Sequence, residues 1–466
     1  MEAVFLSRIQ FALTAGFHFI FPPLTFGLGL IILIYETLYI KTDKEIYKNI
    51  SQFIIKILAL VFAVGVATGI VLEFSFGTNW SSYSRMVGDI FGAPLAAEGV
   101  FAFFLESVFI GILLFARNKV SKKVYWLTAF LVFFASHLSG LWIIIANSWM
   151  QTPAGFAIVK GGNEIIPPVQ GLLTAPLDQA AIEGGRAVLK DFFAAAINHS
   201  TGQRYIHTAI AGWVSGSLLI AGISSWYLLK RREIEYAKPM LKVSLIVFII
   251  TSFLQFGTGH MHAVQVAKTQ PIKMAAIEGL WDTTEGAGLL LFGFPDASKK
   301  TTHFEFRMPK LLSLMLYSDS NAKVQGLNDF PDDLHPPLAI TSHTYRIMII
   351  LGSIFGLISV IGIILFATKK IYETDWFLKI LLFAIPLPLI SNEMGWMVAE
   401  VGRQPWAVYN VLKTSAAASV VVPAWQILAT IIMFTILYLI LFIFFVKFLV
   451  GLIKKGPAKV INTEGH

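Results

Sequence analysis

The feature that most constrains this chain is a series of apolar runs, each long enough to cross a hydrocarbon core of about 30 Å, which takes roughly 20 helical residues. They lie at 9–39, 52–75, 93–117, 124–148, 205–229, 240–259, 340–367, 376–400 and 424–450. With no water in the bilayer to satisfy backbone groups, such runs are helices. The expected fold is therefore all-α: a polytopic membrane bundle of nine transmembrane helices forming one integral domain over 1–466. Only 14% of the 466 residues are charged, against about 25% in a soluble domain, too few to cover several water-exposed domains. The first apolar stretch is too long for a signal-peptide core and is read as a retained span.

Basic residues gather in alternate loops. Loops after the odd-numbered spans carry Lys41, Lys44 and Lys48; Arg117, Lys119, Lys122 and Lys123; Lys230, Arg231, Arg232 and Lys238; and Lys369 and Lys370. The tail adds Lys454, Lys455 and Lys459, whereas the short loop after the second span has only Arg85. The positive-inside rule puts the odd loops in the cytoplasm, the N-terminus outside and the C-terminus inside. The net charge of +8 is then an orientation signal and points to no nucleic-acid partner. Two outer segments are long, 150–204 and 260–339, and loops of that length without regular structure of their own are usually either functional or disordered.

The chain has no cysteine, which removes disulfides, cysteine-held metal clusters and thioether-linked haem. Any cofactor is left to His, Met, Glu or Asp. Ionisable groups inside a bilayer cost at least about 2.5–3.5 kcal/mol on insertion scales, so those in the spans are informative. They include His18, Glu73, Glu98, Glu106, His137, His207, Arg346, Glu393 and Glu400. At 1.5 Å per residue His18 lies roughly 14 Å from the outer end of its span. His207, Met348 and Glu400 fall in the same outer half. A His with a Met suits a six-coordinate electron-transfer haem, while a lone His or Glu leaves an open iron position. The plainer readings are real: a histidine in an apolar helix is often a hydrogen-bonded structural residue, and a methionine is usually packing. Glu98 and Glu106 sit about 80° apart and roughly 12 Å along one continuous helix, and two carboxylates on one span suggest a proton path. These residues alone lead only to a membrane redox protein or a proton-coupled one.

Longer motifs go further. Gly395-Trp396-Met397-Val398-Ala399-Glu400-Val401-Gly402-Arg403-Gln404-Pro405-Trp406 holds a GRQPW signature; with Ser7 to Thr14 leading to His18, Gly77-Thr78-Asn79-Trp80, Val87 to Leu95, Phe103 to Ser107, Ala146-Asn147, Ile206-His207-Thr208, Met274 to Glu278 and Arg346-Ile347-Met348, it resembles subunit I of the cytochrome bd quinol oxidases. The resemblance runs in order over residues 7–406 and implies a haem-bearing catalytic subunit. Such a subunit oxidises quinol at the outer face and reduces O2 to water with cytoplasmic protons, generating proton motive force without pumping.

Carried over by motif, His207 and Met348 ligate a low-spin haem b. His18 and Glu400 each hold one of two high-spin haems, b and d; His18 is assigned to haem d, although members differ on this and some carry haem b in its place. The implied cofactors are two haems b and one haem d. Arg346 and Arg403 are cations for haem propionates, Trp396 is an aromatic between haems, and Glu98, Glu106 and Asn147 lie on the proton route. Lys273 and Glu278 contact quinol in the 260–339 loop, the Q-loop, which is of the short kind. The family also implies a second subunit, often a small single-span subunit, and a prokaryotic plasma membrane. Gly259-His260-Met261-His262 reads as a loop whose two histidines are either solvated or a metal or quinol contact. His137 receives no role. The rival reading is a proton-coupled secondary transporter using Glu98, Glu106 and Glu393.

Overall fold

The computed structural model describes residues 2–457; Lys459 of the basic tail lies outside them. The chain begins with α1 (Glu2–Phe19) and α2 (Phe21–Thr42), separated at Ile20. Pro22 and Pro23 occupy the first turn of α2, where the missing N–H groups cost nothing, so one apolar run becomes two helices. α3 (Glu45–Gly77) follows, then α4 (Ser81–Ala97), a π-helical turn (Glu98–Phe103), α5 (Phe104–Phe115) and α6 (Lys122–Gln151). The expected third span is therefore not one regular helix. Pro94 lies inside α4 one turn before the change of pitch, and the π-turn shifts the offset between Glu98 and Glu106 from that of a continuous α-helix.

The first outer segment is not a bare loop. β1 (Phe156–Lys160) pairs with β2 (Asn163–Val169) and β3 (Arg186–Leu189) in a three-stranded antiparallel sheet, with short helices α7 (Gln179–Ile182) and α8 (Phe192–Ala196) beside it. α9 (Thr201–Leu229) and α10 (Ile234–Thr269) follow. α10 runs through Gly259 to His262, so the two histidines expected in a loop stand on a helix. The second outer segment starts with α11 (Pro271–Glu278) and contains β4 (Thr284–Glu285), the hairpin β5 (Leu289–Asp296) and β6 (Thr301–Met308), α12 (Leu311–Tyr317), and β7 (Lys323–Val324) paired with β4. The remaining elements are α13 (Leu338–Ala367), α14 (Asp375–Phe383), α15 (Leu387–Val401), the pair β8 (Trp406–Val408) and β9 (Leu412–Lys413), α16 (Thr414–Ala417) and α17 (Ala424–Lys455). Pro386 separates α14 from α15.

The molecule is thus mainly helical, with small sheets confined to the segments outside the apolar runs. The reason is physical: only in water-facing segments can irregular backbone and exposed strand edges be tolerated. Among the described residues eight helical stretches, counting α1–α2 and α14–α15 as one each, are long and apolar enough to cross a membrane, and Phe104–Phe115 is a shorter apolar helix.

Two buried clusters hold the bundle. One joins Leu28, Ile31 and Tyr35 of α2 to Ile54, Leu58 and Val61 of α3 and Ile220 of α9; the other joins Leu218, Leu245, Phe355 and Phe377 of α9, α10, α13 and α14. The α2–α9 crossing depends on glycine: a Cβ on Gly27 would stand 2.5 Å from the Gly212 carbonyl oxygen and 2.6 Å from the Gly216 Cα. Small residues at such seams let membrane helices approach backbone to backbone. α17 packs on α1 and α3 and leaves most of its apolar surface open, as a lipid-facing helix does.

Candidate functional site

Among the histidines in the apolar helices, His18, His137 and His207 are separated by their hydrogen bonds. The His18 Nδ1 lies 3.0 Å from the Thr68 hydroxyl, which itself donates to the carbonyls of Val64 and Gly65 at 3.0 and 2.9 Å. With the hydroxyl proton committed, Nδ1–H donates to Thr68 and the His18 Nε2 keeps its lone pair. His207 repeats the arrangement: its Nδ1 lies 3.1 Å from the Thr258 hydroxyl, which donates to the Gln255 carbonyl at 3.3 Å. Its Nε2 meets only the Gln255 amide at 3.1 Å, a side chain whose own Oε1 has no partner. His18, with its Nδ1–H anchored and its Nε2 free, is set up as a metal ligand, whereas the His207 Nε2 would exchange the Gln255 amide for a metal.

His137 is different. Its Nδ1 donates to the Phe133 carbonyl at 2.7 Å, its Nε2 accepts from the Trp213 indole at 3.0 Å, and its ring stacks on Phe26 at 4.3 Å. Both nitrogens are spent, so this histidine is structural.

Glycine backbones lie against the candidate ligands. A Cβ on Gly69 would come within 3.1 Å of the His18 Cε1, one on Gly259 within 3.3 Å of the His207 Cε1, and one on Gly395 within 3.0 Å of the Met348 Sδ. A Cβ on Gly16, two residues before His18, would lie 3.4 Å from a Glu393 carboxylate oxygen and 4.0 Å from the Trp396 ring. Glu393 and Trp396 therefore face α1, while Gly395 faces Met348 on α13.

The Glu400 carboxylate lies in a buried polar cluster. One oxygen accepts from Asn147 at 3.0 Å and Gln151 at 3.3 Å, and the other accepts from Arg403 one turn on. Asn147 also accepts from Arg204. Lys273 donates to the Gln151 side chain at 2.7 Å and to the Ala399 carbonyl at 3.1 Å. Burial pushes the Lys273 ammonium well below the ordinary lysine range, Arg204 and Arg403 push it further, and Glu400 opposes them. In this cluster Arg403 Nε and Nη1 and Arg204 Nε are buried donors with no partner.

Glu278, expected beside Lys273 on one quinol, faces elsewhere. It is 1% exposed, accepts from Arg346 at 3.3 Å and takes the Leu290 backbone N–H at 2.9 Å. Arg346 also donates to the Ile277 carbonyl at 2.9 Å, and its Nε is free. The two residues are five apart on α11 and so point to different sides of it: Lys273 toward Glu400, Glu278 toward Arg346 and β5. His260 and His262 stand on α10, and the His262 ring meets the His207 ring edge-on at 5.6 Å. Among the described residues no group of three His, Asp or Glu side chains is gathered to hold a separate metal ion.

The carboxylates around the π-turn form a second region. Glu98 opens the turn and accepts from Ser139 at 2.8 Å. Glu106 is 6% exposed, and its Oε1 has no partner. Glu98 is within electrostatic reach of both Glu73 and Glu106.

Sequence reasoning missed Arg204, Gln151, Ser139, Thr68 and Thr258. Arg204 was placed one residue outside its span; its spacing of three from His207 was the available signal. The other four are ordinary polar residues whose roles come from partners on other helices.

These residues can hold a flat prosthetic group with an anionic edge. His18 has a free Nε2 and His207 one that meets only the Gln255 amide, glycines clear the space beside three candidate ligands, and buried guanidinium donors await acceptors. Residues 6–457 match the family model described as cytochrome bd terminal oxidase subunit I. The chain is 36% identical over 466 residues to a Bacillus subtilis protein named cytochrome bd ubiquinol oxidase subunit 1, covering 98% of this chain and 94% of that protein. It is 33% identical over 529 residues to the Escherichia coli cytochrome bd-II ubiquinol oxidase subunit 1, covering 99% of this chain and 98% of the relative. Its structure superposes on the bd oxidase from Geobacillus thermodenitrificans with a TM-score of 0.87 at 27% identity, over 98% of this chain and 99% of that one.

Proposed function

This chain belongs to the cytochrome bd terminal oxidase subunit I family, and from that premise we propose how its residues divide the work of an O2-reducing quinol oxidase. The transporter alternative falls with the family assignment. The observation that supports the reading best is the position of α15. Its residues touch α1 through Glu393 and Trp396, α13 through Gly395 and Met348, and α6 through Glu400 with Asn147 and Gln151. The eight residues from Glu393 to Glu400, about 10 Å of helix, thus lie beside every candidate ligand except His207.

His207 and Met348 hold the low-spin haem b. His18 and Glu400 hold the two high-spin haems, with His18 on haem d or on the haem b that takes its place. When bound, these groups supply one-electron carriers and an open iron position for O2. The chain's own residues do the rest. Thr68 and Thr258 fix the tautomers of His18 and His207. Asn147, Gln151 and Arg403 orient Glu400. The free donors of Arg403, Arg204 and Arg346 hold propionates by charge-assisted bonds, and Trp396 fills the space between ligand positions.

Quinol is oxidised at the outer face beside α11, on the side where Glu278 meets Arg346, while Lys273 on the other side serves the Glu400 cluster. Its protons leave outside. Glu98 and Glu106 carry protons inward from the cytoplasmic side, so water formation separates charge without a pump. The α4–π–α5 segment makes the ninth crossing, with the N-terminus outside and the C-terminus in the cytoplasm. Subunit II covers part of the open apolar surface, a small single-span subunit joins it, and the complex lies in the plasma membrane.

The test is M348L in the purified complex, measured by reduced-minus-oxidised spectra. The low-spin haem b band is lost while high-spin bands remain; a retained band means that another residue is the ligand.

A further inference from the structure

At the end of the bundle where the basic loops gather, the α2–α3 turn meets the α5–α6 turn around a cavity of about 190 Å³. Tyr39, Lys48, Arg117, Asn118, Lys122 and Tyr125 line it, and none of its lining side chains is a carboxylate. At its base Arg117 is 8% exposed. Its Nη1 holds both oxygens of buried Glu36 at 2.9 and 2.8 Å, and its Nη2 is buried without a partner. The guanidinium packs 4.1 Å from the centre of the Tyr125 ring and 5.0 Å from that of Tyr39, and the Lys122 and Lys48 ammonium groups lie 4.8 and 6.0 Å from the Tyr39 centre. Three cations thus converge on one tyrosine, and like charges gathered so closely repel unless an anion lies among them.

The carboxylates nearby supply it only in part: Glu45, half exposed, accepts from Lys48 at 2.9 Å and from the Tyr39 hydroxyl at 3.2 Å. Glu36 is spent on one edge of Arg117, while Glu45 and Asp43 pair with Lys48 and Lys122 at exposed positions, where such pairs are worth about 0–1 kcal/mol and exchange readily. Residues 36–48 and 117–125 together hold seven Lys and Arg against three carboxylates. Beside the cavity Ile40, Phe115, Val124 and Leu127 expose apolar side chains. A ligand with a negative head and long apolar chains satisfies both surfaces.

We propose that this cavity binds the phosphate headgroup of an anionic phospholipid, with its acyl chains lying over Phe115, Val124 and Leu127. The phosphate takes the free Arg117 Nη2 and draws Lys48 and Lys122 from their surface partners. Basic pockets between membrane helices recognise lipid headgroups in this way.

The experiment uses the purified oxidase complex, delipidated in detergent, with dioleoyl phosphatidylglycerol, the phosphatidylcholine of the same chains, and inorganic phosphate as three separate probes. Native mass spectrometry counts retained lipid, and thermal unfolding reads the shift in Tm. Because R117Q leaves Glu36 buried without a partner and endangers folding, the working variant is K48Q/K122Q, with K369Q/K370Q in another basic loop as control. Phosphatidylglycerol is expected to raise Tm, and K48Q/K122Q to weaken its binding about tenfold, while the control binds as the native complex does. Equal binding by K48Q/K122Q, an equal loss in the control, or an equal effect of phosphatidylcholine overturns the proposal. Displacement of the lipid by inorganic phosphate with the same gain in Tm also overturns it and assigns the cavity to a free anion.

Discussion

The two polar regions inside this bundle are unbalanced in opposite directions. Around Glu400 there is a surplus of donors: Arg403, Arg204 and Lys273 surround one carboxylate, and three guanidinium N–H groups are left over. Around the π-turn there is a surplus of acceptors: Glu98 lies within electrostatic reach of Glu73 and of Glu106, one serine hydroxyl donates to it, and a Glu106 oxygen is left over. A donor surplus is suited to receive an anion, and an acceptor surplus to receive a proton. The first is a binding site for charged edges, and the second a place where protons pause.

The largest effect expected from this contrast is that of R403L. It leaves Glu400 buried without its closest cation, and breaking a buried pair from one side costs about 3–5 kcal/mol. The complex should lose thermal stability and high-spin haem absorption together; an unchanged Tm would mean that Arg204 and Lys273 alone can hold the carboxylate. Next in size is K273M, through pH. Because burial and two neighbouring guanidiniums lower the folded-state pKa of Lys273, the unfolded chain binds the extra proton in the window below the ordinary value of about 10.4. Stability there rises with pH in the native protein, and K273M should flatten that rise in a Tm-against-pH series. A curve unchanged by the substitution would place the alkaline dependence elsewhere. The smallest stability effect is that of E106Q. It conserves shape and removes only an ionisable group without a partner, so the unfolding free energy should stay within about 1 kcal/mol of native. Quinol oxidase turnover should nonetheless fall, with the haem spectrum intact; a large fall in stability would show that the acceptor region is structural.

Much of this was legible in the sequence. Apolar runs of membrane length mark the helices because the bilayer leaves no other backbone solution, and the Gly395–Trp406 stretch carries the family resemblance. The sheets in the outer segments were not legible, since once the chain is in water the bilayer constraint lapses. Nor was the π-turn, whose residues are as apolar as those of a regular helix. The three histidines show the limit most clearly. His18, His137 and His207 are alike in local sequence, each one polar ring in an apolar helix. What distinguishes them is Thr68, Trp213 and Thr258, which lie 50, 76 and 51 positions away. Lys273 and Glu278 are a related case: a shared motif suggested one shared target, and helical geometry gives them different ones.

The glycine seam between α2 and α9 has a consequence for insulation. At Gly27, Gly212 and Gly216 two backbones meet with no room for even a methyl group. A single-file path for water needs space for successive molecules, and this contact closes it off along the middle of the bundle. A respiratory enzyme stores energy only if protons cannot drift back beside it. Glycines thus seal this contact, and a larger residue at Gly27 or Gly216 is expected to part the two helices there without touching a cofactor.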